Sequence, residues 1–479
     1  MNYALILNSW GNLLKLLAVT MLPPLLLALK DRTADSQAFF WSLLITLLAG
    51  LLLTLFKSEG QFDRREGFLT VGVGWVLIVA FGALPFYLYK AVPSYVDAFF
   101  ETMSGFTTTG STVIPAIENL PRGIIMWRSL THWLGGMGII VLSVAIFSIF
   151  GNGSTLFQAE VPGLTAERIL PRLKHTAFTL WLIYTIFSVI QLIVLRLAGM
   201  PLFDSVIHTF GTMATGGFSC RNISVEAYHS VPIEMIITFF MMAAGINFTL
   251  YYHAAEKRSL MPLLKDSETK GYLLILGIGT LLVAVSLLFG MKLPVGKSLR
   301  LAVFQVVSVC TTTGFSSADF TLWPQFAQGI LFILMFIGGC TGSTGGAMKV
   351  ARVILLFKYM KKTIQRAARP RMVIQTKLGN QHISDSIIHD VLAFFFMYML
   401  LYVTGSLIIT ATGLDLVSSF SAAAGTLGNI GPGLAKVGPL SNFAFTHPIA
   451  KLVMCFLMLA GRLELLTVLV MFSPEFWRK

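Results

Sequence analysis

TTTGST at 107–112, ATGGFS at 214–219, TTTGFS at 311–316 and NIGPG at 429–433 are four versions of one turn. Aligned on Gly110, Gly216, Gly314 and Gly431, they stand 106, 98 and 117 residues apart. Each follows a short apolar segment, at 95–106, 203–213, 298–310 and 416–427, too short to cross a bilayer as a helix. A short helix that enters the membrane, turns and leaves on the same side is a re-entrant loop. Non-helical backbone at that depth persists only when buried in protein or lining a watery path. One such segment fits a surface helix with a polar turn; four in series read as one architecture used four times.

Outward from the turns the chain is apolar. Its 479 residues are 55% hydrophobic and 12% charged, about half the charge of a water-facing chain, which defines an integral membrane protein. Stretches of about 20 apolar residues predict spans near 12–29, 38–56, 68–89, 124–150, 176–198, 232–252, 271–290, 326–356, 386–412 and 447–472. The first has no small-residue cleavage site after it and is expected to remain as an anchor. The expected fold is all-α. Two leading helices (1–60) precede four units of span, re-entrant helix, turn and span (61–152, 153–254, 255–366 and 367–479) around one central pore. With the turns outside, about 21 of the 35 Lys and Arg fall in the inner loops 57–67, 151–175, 254–270 and 349–384 and the C-terminal tail. This positive-inside pattern accounts for most of the formal charge of +13 and leaves no case for nucleic acid.

The residue types in the turns suit a cation. A filter must replace an ion's water shell with oxygen, and ordered backbone carbonyls do so without adding net charge. Glycine supplies the unusual backbone angles cheaply, threonine hydroxyls can add oxygens, and the negative end of each short helix faces the cavity. Four such elements close a ring. The expected filter is Thr108, Thr109, Gly110, Ala214, Thr215, Gly216, Thr312, Thr313, Gly314, Asn429, Ile430 and Gly431. Enzyme chemistry is poorly supplied: there is no GxSxG, no HExxH and no paired aspartate within spans. The four cysteines show no CxxC. His208, in the second re-entrant segment, reads as a packing or vestibule residue.

The four turns, GGCTGSTGGAMKV at 338–350 and GRLELLTVLV at 461–470 resemble TrkH/KtrB-type potassium transporter subunits over essentially the whole chain. The resemblance implies a multi-pass protein of a bacterial inner membrane that takes up K⁺, with a pore in each subunit of a homodimer. It also implies a cytosolic nucleotide-binding (TrkA-like) regulatory subunit. Sodium-preferring plant relatives carry serine at the first filter position, so Gly110 favours potassium.

Gly338, Gly339, Gly342, Gly345 and Gly346, with Ser343 and Thr344, interrupt the eighth span. Interior glycine costs about 1 kcal/mol per residue in a helix, so an unbroken helix is not expected. A phosphate loop is excluded, because Lys349 has no Ser or Thr after it. A glycine-packed helix crossing is the other structural option. The family resemblance makes the stretch an intramembrane gate beneath the filter, with Lys349, Arg462 and Glu464 nearby. Ala347 replaces the third of the family's consecutive glycines. Glu464 is the main carboxylate available for the rival mechanism, symport of potassium with sodium or protons. The basic loop 349–384 bears Lys358, Lys361, Lys362 and Arg366; lipid headgroups and an acidic face of the cytosolic partner are its two expected contacts.

Overall fold

The structure, a computed structural model, describes residues 1–56, 63–138, 173–369, 375–379 and 381–478. Among them, six helices are long and apolar enough to cross a membrane: Tyr3–Asp31, Asp35–Thr54, Arg65–Leu88, Ala177–Leu197, Ser267–Gly290 and Asp385–Ala411. Two further helix pairs, Val231–Ala244 with Phe248–Glu256 and Pro448–Arg462 with Leu465–Phe472, bend by 90° and 119°. The count becomes eight when each bent pair is one span. The outer turn of a strongly apolar helix faces lipid, which explains the many exposed Leu, Ile and Phe side chains on these elements.

The four short helices are Tyr95–Phe106, Leu202–Met213, Val295–Cys310 and Leu416–Leu427, close to the segments expected from sequence. Their starts are set locally. Ser94 and Asp415 cap the first and fourth by accepting from the amides of Asp97 and Ser418, which satisfies donors that a helix N-terminus leaves open. Pro201 and Pro294 stand at the same place before the second and third. Every residue from Phe100 to Phe106 is buried, so the first helix is a core element rather than a surface one.

Ion pairs tie neighbouring units at these helices. Lys451, on Pro448–Arg462 of the fourth unit, donates to Asp97 of the first at 2.6 Å, with both residues buried. Arg300 in the third unit lies 3.4 Å from Glu234 of the second. Buried charges persist at this depth only when paired, and Lys451 also donates to the carbonyl of Ala444 at 2.9 Å.

Several sequence expectations are corrected. The span at 232–252 is broken after Ala244 and that at 447–472 after Arg462, so Arg462 ends one helix and Glu464 stands in the break before the next. The span at 326–356 stops at Leu334 and resumes at Val350. A two-stranded antiparallel hairpin, Thr376–Leu378 against Gln381–Ile383, pairs Thr376 with Ile383 in the basic loop. The divisions at 254/255 and 366/367 cut the helices Phe248–Glu256 and Val350–Ala368. Those at 60/61 and 152/153, most of the inner loops 57–67 and 151–175, the end of the span at 124–150, and residues 370–374 and 380 of the basic loop lie outside the described residues.

Candidate functional site

Each short helix ends in the same backbone figure. Past the helix, one residue is left-handed: Thr108 (φ 54°), Thr215 (53°), Thr312 (59°) and Asn429 (54°). Two places on stands a glycine of positive φ: Gly110 (86°), Gly217 (78°), Gly314 (77°) and Gly431 (99°). The residue between donates its amide back to the short helix. Thr109 bonds to Ser104, Gly216 to Gly211, Thr313 to Ser308 and Ile430 to Gly425, each at 2.8 Å. The second repeat is therefore out of register with the sequence alignment by one residue. The equivalent of Gly110 is Gly217, not Gly216, and Ala214 caps the end of the helix instead of belonging to the turn. The triplet GFS at 217–219, repeated at 314–316, carries the correct register.

The four turns meet in cyclic order. A Cβ added to Gly110 would strike the carbonyl oxygen of Gly216, one on Gly217 that of Thr313, and one on Gly314 that of Ile430. A Cβ on Gly431 would stand 2.6 Å from the carbonyl oxygen of Thr109, which returns to the first turn. Positive φ and lack of room both require glycine at these points. The carbonyls of Thr109, Gly216, Thr313 and Ile430 thus belong to one closed layer. Two cross-links reinforce the junction between the fourth and first turns. Ser111 Oγ donates to the Gly431 carbonyl and Asn429 Nδ2 to Thr109 Oγ1, both at 3.0 Å. An outer cavity is lined by Gly110, Gly217, Gly314 and Gly431 together with Ser219 and Arg221.

The glycine-rich segment lies against the other end of these turns. A Cβ on Gly345 would be 3.0 Å from the Thr311 carbonyl, and one on Gly346 2.5 Å from that of Gly428. Thr344 Oγ1 donates to the Met213 carbonyl at 3.1 Å. Cys340 donates its amide to Gly245 at 2.8 Å, and Phe248 returns one to Gly342 at 3.1 Å, which anchors the segment in the break of the second unit. Gly338 (φ 82°), Gly342 (74°), Ala347 (56°) and Lys349 (67°) turn the chain through left-handed angles, so Ala347 adopts the angle for which glycine is the easy choice. Glu268 Oε1 accepts the amides of Thr341 at 2.7 Å and Ala351 at 3.0 Å, fixing both ends of the stretch.

Arg462 joins this loop to the first unit. Its Nη1 donates to the Thr344 carbonyl at 2.7 Å, and its Nη2 to the carbonyls of Gly135 and, at 2.8 Å, Gly136. Lys349 donates to the Gly345 carbonyl and to that of Ser343 at 3.4 Å. Glu464 pairs with Arg352. The sequence-predicted gate residues are therefore brought together, and Gly339 adjoins Ser343 within the same loop.

The sequence reading missed a buried pair behind the first turn. Arg128 Nε donates to Glu101 at 2.6 Å, its guanidinium lies 3.5 Å over the Phe218 ring, and Nη1 reaches the Ser219 carbonyl at 2.8 Å. One arginine so connects the first two turns. Its signal was present as charges inside the apolar runs YVDAFFETMSGF and MWRSLTHW.

A multi-pass membrane chain whose turns close a layer of carbonyl oxygens has the form of a transporter. The TrkH family, described as cation transport protein, matches residues 35–479, and the chain belongs to that family. It is 40% identical to "Trk system potassium uptake protein TrkH" of Salmonella typhimurium, with 100% of both chains covered. It is 34% identical to "Trk system potassium uptake protein TrkG" of Escherichia coli, over 98% of this chain and 97% of that one. The solved structure of "the Potassium Transporter TrkH from Vibrio parahaemolyticus" superposes with a TM-score of 0.91 at 36% identity, covering 100% of each chain. These relationships make the chain a multi-pass inner-membrane protein.

Proposed function

We propose that the chain takes up potassium across a bacterial inner membrane, selecting it at the closed layer of carbonyls from Thr109, Gly216, Thr313 and Ile430. That cyclic layer is the observation that carries the reading, because fixed carbonyl dipoles can replace the water shell of a monovalent cation. Its relatives are potassium uptake proteins, which supports the reading. The filter residues are Thr108, Thr109, Gly110, Thr215, Gly216, Gly217, Thr312, Thr313, Gly314, Asn429, Ile430 and Gly431. An inside-negative potential drives entry with about 2.3 kcal/mol per charge for each 100 mV.

Gating falls to residues 338–349 with Arg462. The loop touches the inner side of the turns, and its flexible glycines are held by side-chain bonds that a small movement would break. Conduction is favoured over symport because Glu464, the carboxylate best placed for ion coupling, is engaged by Arg352. The working unit is a homodimer with a pore in each subunit, and a nucleotide-binding cytosolic partner sets the gate. Restoration of growth at low potassium in an uptake-deficient bacterium tests the whole reading. Expressed, inserted protein that fails to restore growth, with the partner supplied, would overturn it.

A further inference from the structure

Behind the ring lies a set of unequal contacts at one repeated position. Glu101, His208, Gln305 and Ala422 each precede their ring glycine by nine residues. In the first three quadrants the side chain at this place is buried to 0% exposure and bonds the strand that leaves the ring. Glu101 accepts from the Val113 amide at 2.9 Å and from Thr112 Oγ1 at 3.0 Å. His208 Nε2 lies 3.1 Å from Ser219 Oγ, while its Nδ1 bonds the Asp204 carbonyl at 2.9 Å. That second bond makes Nδ1 the donor, which leaves Nε2 to accept from the serine. Gln305 Nε2 donates to the Phe315 carbonyl at 3.3 Å. In the fourth quadrant Ala422 has no polar group, and the preceding Ser421 accepts the amide of Leu434 at 2.9 Å instead.

We infer that Glu101, His208 and Gln305 are positioning residues that set ring geometry, and that His208 thereby determines how well the second quadrant discriminates potassium from sodium. This rests on the filter reading above. The physical argument is one of stiffness. The smaller ion is excluded only if the carbonyls do not close in around it, and a carbonyl layer is held back by whatever restrains the chain on both sides. On the inner side each turn is bonded to its helix at 2.8 Å. On the outer side the restraint in the second quadrant is Ser219, held by His208 at its hydroxyl and by Arg128 at its carbonyl. The imidazole is itself fixed in place, stacked on Phe315 at 5.5 Å and edge-on to Tyr228 at 5.2 Å. Gln305 occupies the same place in the third quadrant and bonds the Phe315 carbonyl rather than the hydroxyl of Ser316, so a glutamine fits this position and can reach the outgoing segment with its amide.

The test uses the full-length chain reconstituted in bilayers, with relative sodium-to-potassium permeability as the readout and monodispersity and melting temperature as folding controls. His208→Ala is expected to raise relative sodium permeability about fivefold, the equivalent of one neutral hydrogen bond. His208→Gln is expected to restore the wild-type ratio to within about twofold. Unchanged selectivity in well-folded His208→Ala overturns the proposal, as does failure of His208→Gln to restore the ratio while folding normally. Gly217→Ala serves as the parallel arm: if that change in the ring itself leaves selectivity unaltered, the filter reading fails rather than the role of His208.

Discussion

The amide of Gly346 donates to the hydroxyl of Thr312 at 2.8 Å, so the intramembrane loop is bonded to the inner end of the third turn. Thr312 is one of the four left-handed residues beneath the ring glycines. Replacement by valine keeps the shape and removes the acceptor. If the loop closes the path, Thr312→Val should raise potassium flux without the regulatory partner by up to about fivefold, from the loss of one hydrogen bond. Flux that falls in a correctly inserted protein would mean that the bond holds the filter rather than the gate.

Arg462 should have a larger effect. Its guanidinium bonds the Thr344 carbonyl and those of Gly135 and Gly136, and in the proposed gate its charge would oppose a cation leaving the turns. Two unit charges about 4 Å apart repel by about 4 kcal/mol at an effective dielectric of 20, roughly a thousandfold in rate if all of it falls on the barrier. Arg462→Ala should therefore increase flux, most visibly without the partner, and deletion within 338–346 should do the same. Abolished flux in folded protein would assign Arg462 to structural support.

Selectivity should follow the corrected register. Gly110→Ser and Gly217→Ser each place a side chain against a neighbouring carbonyl at positive φ, and both should lower the preference for potassium over sodium while insertion is retained. Competition of sodium with rubidium uptake measures this. Unchanged selectivity at Gly217 would count against the filter reading itself.

Lys451 and Asp97 offer a stability measurement. Removing one partner of a buried ion pair costs about 3–5 kcal/mol, so Lys451→Met should lower the melting temperature in detergent markedly. Replacing both residues by apolar ones should recover much of the loss. Equal melting of Lys451→Met and wild type would remove the pair as a link between the first and fourth units.

The basic segment separates into two groups. Lys362 donates to Asp385 at 2.7 Å and is buried, and Lys358 donates to the carbonyl of Lys377 at 2.5 Å; both hold the hairpin region to the helix. Lys361 and Arg366 are exposed. Lys361→Gln with Arg366→Gln should weaken binding of the cytosolic partner in a salt-sensitive way, since screened surface charge is what they supply. Undiminished binding at low salt would leave those charges to topology and lipid.

How far the sequence could be read depended on what each signal encodes. Span and re-entrant segments are length and hydropathy, and the four short helices lay where apolar segments too short to span had put them. The second turn failed because ATGGFS offers two adjacent glycines. A motif aligned on the first of them cannot show that Gly217, two places after the left-handed Thr215, takes the positive angle. The breaks after Ala244 and Arg462 were hidden for a different reason. Hydropathy averages over a span and does not register a 90° or 119° bend, although Gly245 and Gly461 stand beside the two bends. The Arg128–Glu101 pair joins residues of one unit across a turn, a contact that linear spacing does not express.

Because the four turns sit on a single polypeptide, no side chain behind the ring is copied around the axis. A homotetramer that altered one such residue would alter all four at once. Here carboxylate, imidazole, amide and methyl occupy Glu101, His208, Gln305 and Ala422, and each can drift independently of the rest. If the ring is the filter proposed here, ionic preference in this architecture can change in quarter steps, one unit at a time.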